Sequence, residues 1–342
     1  MTSQTHMRRE VLEIPQAVAR LFEQSAAEME RAGTALKAVD PRVLVTVARG
    51  SSDHAASFLK YAVELTTGVP VASLGPSIAS IYEAPLKLAG AASLAISQSG
   101  KSPDIVAMAE AVRRSGAVAI ALTNTAGSPL ALAADHAIDI AAGTEKSVAA
   151  TKTFVNSAVA GLGILAHWAG DTALLAALHD LPRQLEQAVA CDWTALADAL
   201  DGTSSVFVLG RGPALAIANE VALKFKETCS VHAEAYSGAE VMHGPMALVG
   251  PGFPVLALAA RDKAESSIIG TADALAAKGA AAFITADGAQ QAARLPFAAT
   301  GHPLTDPLVL IASFYAFVEA FARRRGLNPD EPRNLRKVTE TV

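Results

Sequence analysis

Short apolar, β-branched runs alternate along this chain with longer stretches whose apolar residues recur three or four apart. Val43 to Ala48, Val69 to Leu74, Ser93 to Ile96, Ala117 to Leu122 and Ala137 to Ile140 read as strands, and the segments between them as helices. Continuous apolar character is what parallel strands buried on both faces require, so the rhythm predicts βαβ units. From about Thr151 to Leu200 the pattern is helical, with breaks expected at Gly170 and Pro182. Strand character returns at Ser204 with the run SSVFVLGRG, and the pause before it marks a junction between two domains.

The second half repeats the first. VTVARG ends at Gly50 and VFVLGRG at Gly212, an offset of 162 residues; LAISQS starts at Leu94 and VLALAA at Val255, an offset of 161; AVAIALTN starts at Ala117 and AAAFITAD at Ala280, an offset of 163. Three apolar runs kept in register point to duplication, and two doubly wound α/β domains follow.

Composition narrows the picture. The chain has 342 residues, 51% hydrophobic, 18% charged and 5% aromatic, which suits about two domains and excludes a disordered protein, a collagen, a coiled coil or a disulfide scaffold. With 28 Lys+Arg against 33 Asp+Glu the formal charge is −5, so no global basic field recruits nucleic acid or an anionic membrane. Cys191 and Cys229 have neither metal-ligand nor CxxC spacing and are expected to be core thiols in a reducing compartment. The first residues lack a continuous apolar signal segment, and the most apolar stretch, Ser157 to Gly170, is shorter than a span of ~20 residues. A soluble cytoplasmic protein without membrane partners is expected.

Ligands of an open parallel sheet bind beyond the carboxyl ends of its strands, where helix N-termini present free N–H groups. Arg49-Gly50-Ser51-Ser52 follows the first strand and Ser97-Gln98-Ser99-Gly100-Lys101-Ser102-Pro103-Asp104 the third. The second turn has hydroxyls around a glycine, with Pro103 placed as a first helical residue. Such donors suit a phosphate monoester, although helix capping accounts for the same residues. A P-loop needs glycine where Ala95 stands, and the dinucleotide fingerprint needs one where Leu215 stands, so neither ATP nor NAD is indicated.

On a helix, Glu220, Lys224 and Glu227 share a face, giving an acid–base–acid stripe that is either an exposed ion-pair face or a reactive one. His232, Glu234, Glu240 and His243 crowd the following stretch beside Gly238 and Gly244. Metal binding is the weaker reading there, since no His-x-x-x-His pair is present.

The motifs SQSGKSPD, VAATKTF (Val148 to Phe154), LGRG followed by NEVALKFKE, HAEAYSGAEVMHGPMAL and the tail NLRKVTETV occur in one order. Together they resemble the sugar isomerase (SIS) domain family, in particular the isomerase half of glucosamine-6-phosphate synthase. The resemblance implies two tandem SIS domains, each a flavodoxin-like parallel sheet with helices on both faces. The expected divisions are an N-terminal helical segment (1–35), SIS domain 1 with the phosphosugar cradle (36–170), a helical linker (171–202), SIS domain 2 with the acid–base residues (203–325) and a C-terminal tail closing over the site (326–342).

Carried over residue by residue, the resemblance implies a phosphate cradle at Ser52, Ser97, Gln98, Ser99 and Ser102, with substrate contacts extending to Val148 and Ala150. It makes Glu227 the carboxylate that moves a proton between C1 and C2, with Lys224 one turn before it. His243 becomes the ring-opening histidine, reaching the site across a homodimer, and Lys337 the tail lysine that lies over the sugar. No metal or organic cofactor is implied.

The chain also departs from the synthase. No glutaminase segment is expected before its start; Arg49 stands where the synthase turn has cysteine, and Ala150 replaces a serine. SQSGKSP resembles the SIS-type glucosamine-6-phosphate deaminases, which implies conversion of glucosamine 6-phosphate and water to fructose 6-phosphate and ammonia. Galactosamine 6-phosphate or a fructosamine 6-phosphate are alternative substrates, and a non-catalytic phosphosugar sensor is an alternative role. Leu258-Ala259-Ala260 takes the place of the serine turn in the second copy, so no second phosphate is expected there.

Overall fold

A computed structural model describes residues 4–337. The chain opens with α1 (His6–Leu12) and α2 (Ile14–Val39), then runs β1 (Leu44–Val47), α3 (Ser51–Thr67), β2 (Val71–Ser73), α4 (Ser77–Ser80), β3 (Ala92–Ile96) and α5 (Pro103–Arg114). It continues through β4 (Val118–Thr123), α6 (Pro129–Ala133), β5 (His136–Asp139), α7 (Lys152–Ala169), α8 (Thr172–Ala188) and α9 (Thr194–Ala199). The second series is β6 (Ser205–Gly210), α10 (Pro213–Cys229), β7 (His232–Ser237), β8 (Pro254–Ala257), α11 (Glu265–Ala276), β9 (Ala281–Ile284), β10 (Ala293–Arg294) and α12 (Asp306–Arg324).

Two five-stranded parallel sheets result, ordered β2-β1-β3-β4-β5 and β10-β9-β8-β6-β7. Counted within its own half, the second order is the first read backwards, so both are the flavodoxin-like arrangement. The registers agree as well: Leu44 faces Ala92 and Phe207 faces Val255, 48 residues on in each case. Leu44 also faces Val71 and Ser205 faces His232, 27 residues on in each case. Gly50 (φ 55°, ψ −132°) and Gly212 (φ 58°, ψ −136°) cap α3 and α10 with nearly the same left-handed backbone. Duplication is thus present in backbone conformation as well as in apolar pattern.

The contacts divide the chain into two compact units. Of the described residues, one holds 16–145, 152–180 and 336–337, the other 4–15, 146–151 and 181–335. Spatial grouping therefore cuts across linear order: α1 belongs with the second sheet and α2 with the first, while Lys146–Thr151 joins the second unit between two segments of the first.

In the first unit the strands β1, β3 and β4 are almost wholly buried. Ile105, Met108 and Val112 of α5 cover one sheet face against Val45, Val47 and Ala121. Its long helix α7 is buried along nearly its whole length. Glycines admit this close packing, since a Cβ at Gly161 would collide with the Leu59 side chain and one at Gly163 would lie 2.7 Å from Met29 Sδ. In the second unit α12 is the buried helix, its Phe314, Phe317 and Phe321 packing against Phe225 of α10.

Two local expectations are corrected. Pro182 does not break α8, which runs through it. Leu174, Leu178, Leu181 and Leu185 form a fully buried stripe along that helix, and burial of about 1.5–3 kcal/mol each outweighs the ~3 kcal/mol penalty of an internal proline. Only Cys229 is a core thiol, pushed up to about 12 by burial; Cys191 is half-buried, past the end of α8. No helix among the described residues is long and apolar enough to cross a membrane.

Candidate functional site

In the first unit the expected cradle residues all lie past the carboxyl ends of β1 and β3. Ser52 is in the first turn of α3, and Ser97, Gln98, Ser99 and Ser102 form the turn from β3 into α5. Ser102 is the N-cap of α5 and Pro103 follows it, yet the Ser102 hydroxyl makes no capping bond. Capping therefore leaves this hydroxyl unexplained. Ser97 Oγ accepts from Gly100 N at 3.3 Å and Ser99 Oγ from Lys101 N at 3.3 Å, so both hydroxyls keep their protons for donation. Gly100 (φ 62°) sets the turn; a Cβ there would collide with Ser128 Oγ and lie 2.8 Å from Thr123 Oγ1.

Gln98 also lines a cavity of about 500 Å³ with Arg20, Asn124, Asp139, Thr144 and Glu145. Lys337 reaches the buried Glu145 carboxylate, Nζ to Oε2 3.0 Å, and Thr153 donates to the same group from its N (3.2 Å) and Oγ1 (2.7 Å). The remaining tail residues, 338–342, which make up the whole VTETV end of the tail motif, lie outside the described residues.

The second unit holds the acid–base candidates. The stripe on α10 is no exposed ion-pair face: the side chains of Glu220 and Lys224 are fully buried and that of Glu227 is 21% exposed. Lys224 Nζ lies 3.2 Å from Glu220 Oε1 and 2.5 Å from Glu227 Oε2, while Tyr315 of α12 donates to Glu220 Oε1 at 3.0 Å. Burial alone would lower the Lys224 pKa, but the carboxylates of Glu220 and Glu227 outweigh it and leave the ammonium raised above an ordinary lysine. A permanent cation is thus held between a buried acid and one that meets solvent.

His243 ends a short 3₁₀ turn, Glu240–His243, and is exposed. It shares that turn with Glu240, while Glu234 lies on the edge strand β7 and accepts from Tyr236 Oη at 2.8 Å. No cluster of three or more metal-ligating side chains exists among the described residues. Val148 and Ala150 lie in the loop before α7, half-buried, with Val148 N donating to Asp330 O at 3.1 Å.

The second copy of the cradle is filled by the chain itself. Leu258, Ala259 and Ala260 are buried after β8. Asp262 caps Ala264 N, and Glu265 opens α11 and pairs with Arg261 at 3.4 Å. A carboxylate thus stands in the first turn of this helix, as Asp104 does in α5, while the Ser97–Gln98–Ser99 turn of the first copy is replaced by buried apolar residues.

Residues not singled out in the sequence also belong to these sites: Asp104, Glu145 and Tyr315. Asp104 had the one legible signal, an acid in the first turn of a helix; the other two meet their partners only through the fold.

A family model described as the SIS domain matches residues 39–164 and 200–324. The chain belongs to the SIS domain family. It is 56% identical to a Silicibacter pomeroyi DSS-3 protein described, provisionally, as a phosphosugar isomerase, with a TM-score of 0.93 over 96% of this chain and 100% of that one. It is 33% identical over 86% of its length to the isomerizing glutamine–fructose-6-phosphate aminotransferase of Symbiobacterium thermophilum. The chain spans about half the length of the curated relatives it matches, 51% in this case. The C-terminal domain of glucosamine-fructose-6-phosphate aminotransferase from Francisella tularensis shares the fold, with a TM-score of 0.84 at 24% identity over 97% of this chain and 99% of that one.

Proposed function

We propose that this SIS protein is an amino-sugar-phosphate isomerase, and specifically a glucosamine-6-phosphate deaminase. The observation that carries the reading is the α10 triad, in which the solvent-facing Glu227 sits against the buried cation Lys224. Aldose–ketose chemistry needs a carboxylate to shuttle a proton between adjacent carbons and a fixed cation to hold the charge that develops between them. The similarity, at 56% identity, to the Silicibacter pomeroyi protein described provisionally as a phosphosugar isomerase supports the substrate class, and the SQSGKSP turn favours the deaminase branch.

Phosphate binding is assigned to Ser52, Ser97, Gln98, Ser99 and Ser102, with Val148 and Ala150 as further sugar contacts. His243 relays a proton from O1 to O5 as the pyranose opens. Glu227 takes the proton from C2 and returns it to C1, while a proton leaves the C2 amine and one is added at O1, which turns the 2-amino aldose into the 1-hydroxy 2-imine. Water adds to that imine, and ammonia leaves to give fructose 6-phosphate. Lys224 or, alternatively, Lys337 of the tail stabilises the negative charge that develops on the enolamine. The linear division into an N-terminal helical segment, two SIS domains, a linker and a closing tail is part of the same proposal.

Ammonia release from a panel of glucosamine 6-phosphate, galactosamine 6-phosphate and a fructosamine 6-phosphate tests the reading, with the highest kcat/KM expected for glucosamine 6-phosphate. Binding without ammonia or ketose formation from any of them would point to a sensor instead. The exposed His243 is assigned to the partner subunit of a homodimer. Sedimentation is expected to give a dimer under assay conditions, and a fully active monomer would remove that role.

A further inference from the structure

Resting on the cradle proposed above, we infer that Arg49 is a positioning residue for phosphate binding, neutralising a buried carboxylate that would otherwise repel the ligand. That carboxylate is Asp104, in the first turn of α5, whose side chain is fully buried. Asp104 Oδ1 accepts from Ile105 N at 2.9 Å, so it draws on the N-terminal amides that would otherwise favour an anionic ligand. Ser97, Ser99 and Ser102 surround the same helix start. A phosphate monoester bound there therefore meets a negative charge held close by, in a medium that screens it less than water does.

Arg49 is placed to cancel that charge. It leaves the end of β1 in the turn that also carries Ser52, and its Nε and Nη2 reach Asp104 Oδ2 at 3.1 and 2.9 Å. The Arg49 side chain is 53% exposed and that of Asp104 not at all, so the cation covers the solvent side of the acid. The pair is neutral as a unit, and the helix terminus keeps its attraction for an anion. In the second copy Glu265 opens the matching helix and is paired instead with Arg261 at 3.4 Å, and Arg211, at the place equivalent to Arg49, makes no ion pair among the described residues.

A simple mechanical tie between two loops would use the same two residues but predicts a different sign on mutation. Calorimetric titration of the full chain with inorganic phosphate and with glucosamine 6-phosphate, at low salt, separates the two. Arg49→Ala is expected to weaken both ligands by about ten- to a hundredfold, the scale of a lost interaction with a charged group. Asp104→Asn is expected to bind at least as tightly as wild type, and the double variant to return towards it. If Asp104→Asn weakens binding as much as Arg49→Ala does, or if Arg49→Ala binds like wild type, the inference fails while the cradle stands. If wild type binds neither ligand, the cradle itself fails. Should Arg49→Ala not fold, Asp104→Asn against wild type still decides the sign.

Discussion

Lys224→Met is expected to cost about 3–5 kcal/mol of stability, because it leaves the buried Glu220 charged and without the Lys224 ammonium. Glu220 and Lys224 are both fully buried in α10, and Tyr315 is a neutral donor that offsets only part of that charge. Equilibrium denaturation near neutral pH measures the loss. Pairing the change with Glu220→Gln should recover much of it, since removing both charges leaves no orphan. The pH dependence has a definite sign. Lys224 is raised in the folded state above its ordinary value of 10.5, so its contribution is fully present below that value and is lost as pH rises through the higher folded value. The gap between wild type and variant should hold from neutral pH up to the ordinary lysine range and narrow only above it. A Lys224→Met protein as stable as wild type would mean that the triad is not the buried network described above.

The same triad shows what was legible in the sequence. Spacing placed Glu220, Lys224 and Glu227 on one helix face, but spacing is blind to which face is buried; packing of α12 against α10 decides that. Strands followed a similar rule. β1, β3 and β4 and their copies β6, β8 and β9 lie inside the sheets, carry unbroken apolar runs and are visible as a repeat. β7 is an edge strand reading His-Ala-Glu-Ala-Tyr-Ser, half-buried, and β10 has only two residues. Neither has the continuous apolar signature that double-sided burial imposes. Pro182 misled for the converse reason, since a local helix breaker was outweighed by a leucine stripe that packing rewards. The serine turn was legible because glycine, hydroxyls and an N1 proline are local chemistry. Arg49 with Asp104, 55 residues apart, and Glu145 with Lys337, 192 apart, depend on topology that no local pattern encodes.

Glu227→Gln is expected to lower kcat for ammonia release by about 10²–10⁴-fold, the scale of a lost general acid–base group, with KM little changed. The substitution is nearly isosteric and its amide oxygen still accepts from Lys224 Nζ, while Glu220 continues to pair with that ammonium. Stability should therefore fall far less than in Lys224→Met. Phosphate affinity should be unaffected, because the serine cradle belongs to the other compact unit and shares no residue with α10. Isotope exchange sharpens the test: in heavy water the wild type should place solvent deuterium at C1 of the ketose, and the variant should lose exchange and ammonia release together. Retained exchange with lost ammonia would assign Glu227 to imine hydrolysis instead of proton transfer, and an unchanged kcat would place the base elsewhere. Loss of phosphate binding alongside activity would mean that the carboxylate supports the fold, leaving the proton to another group.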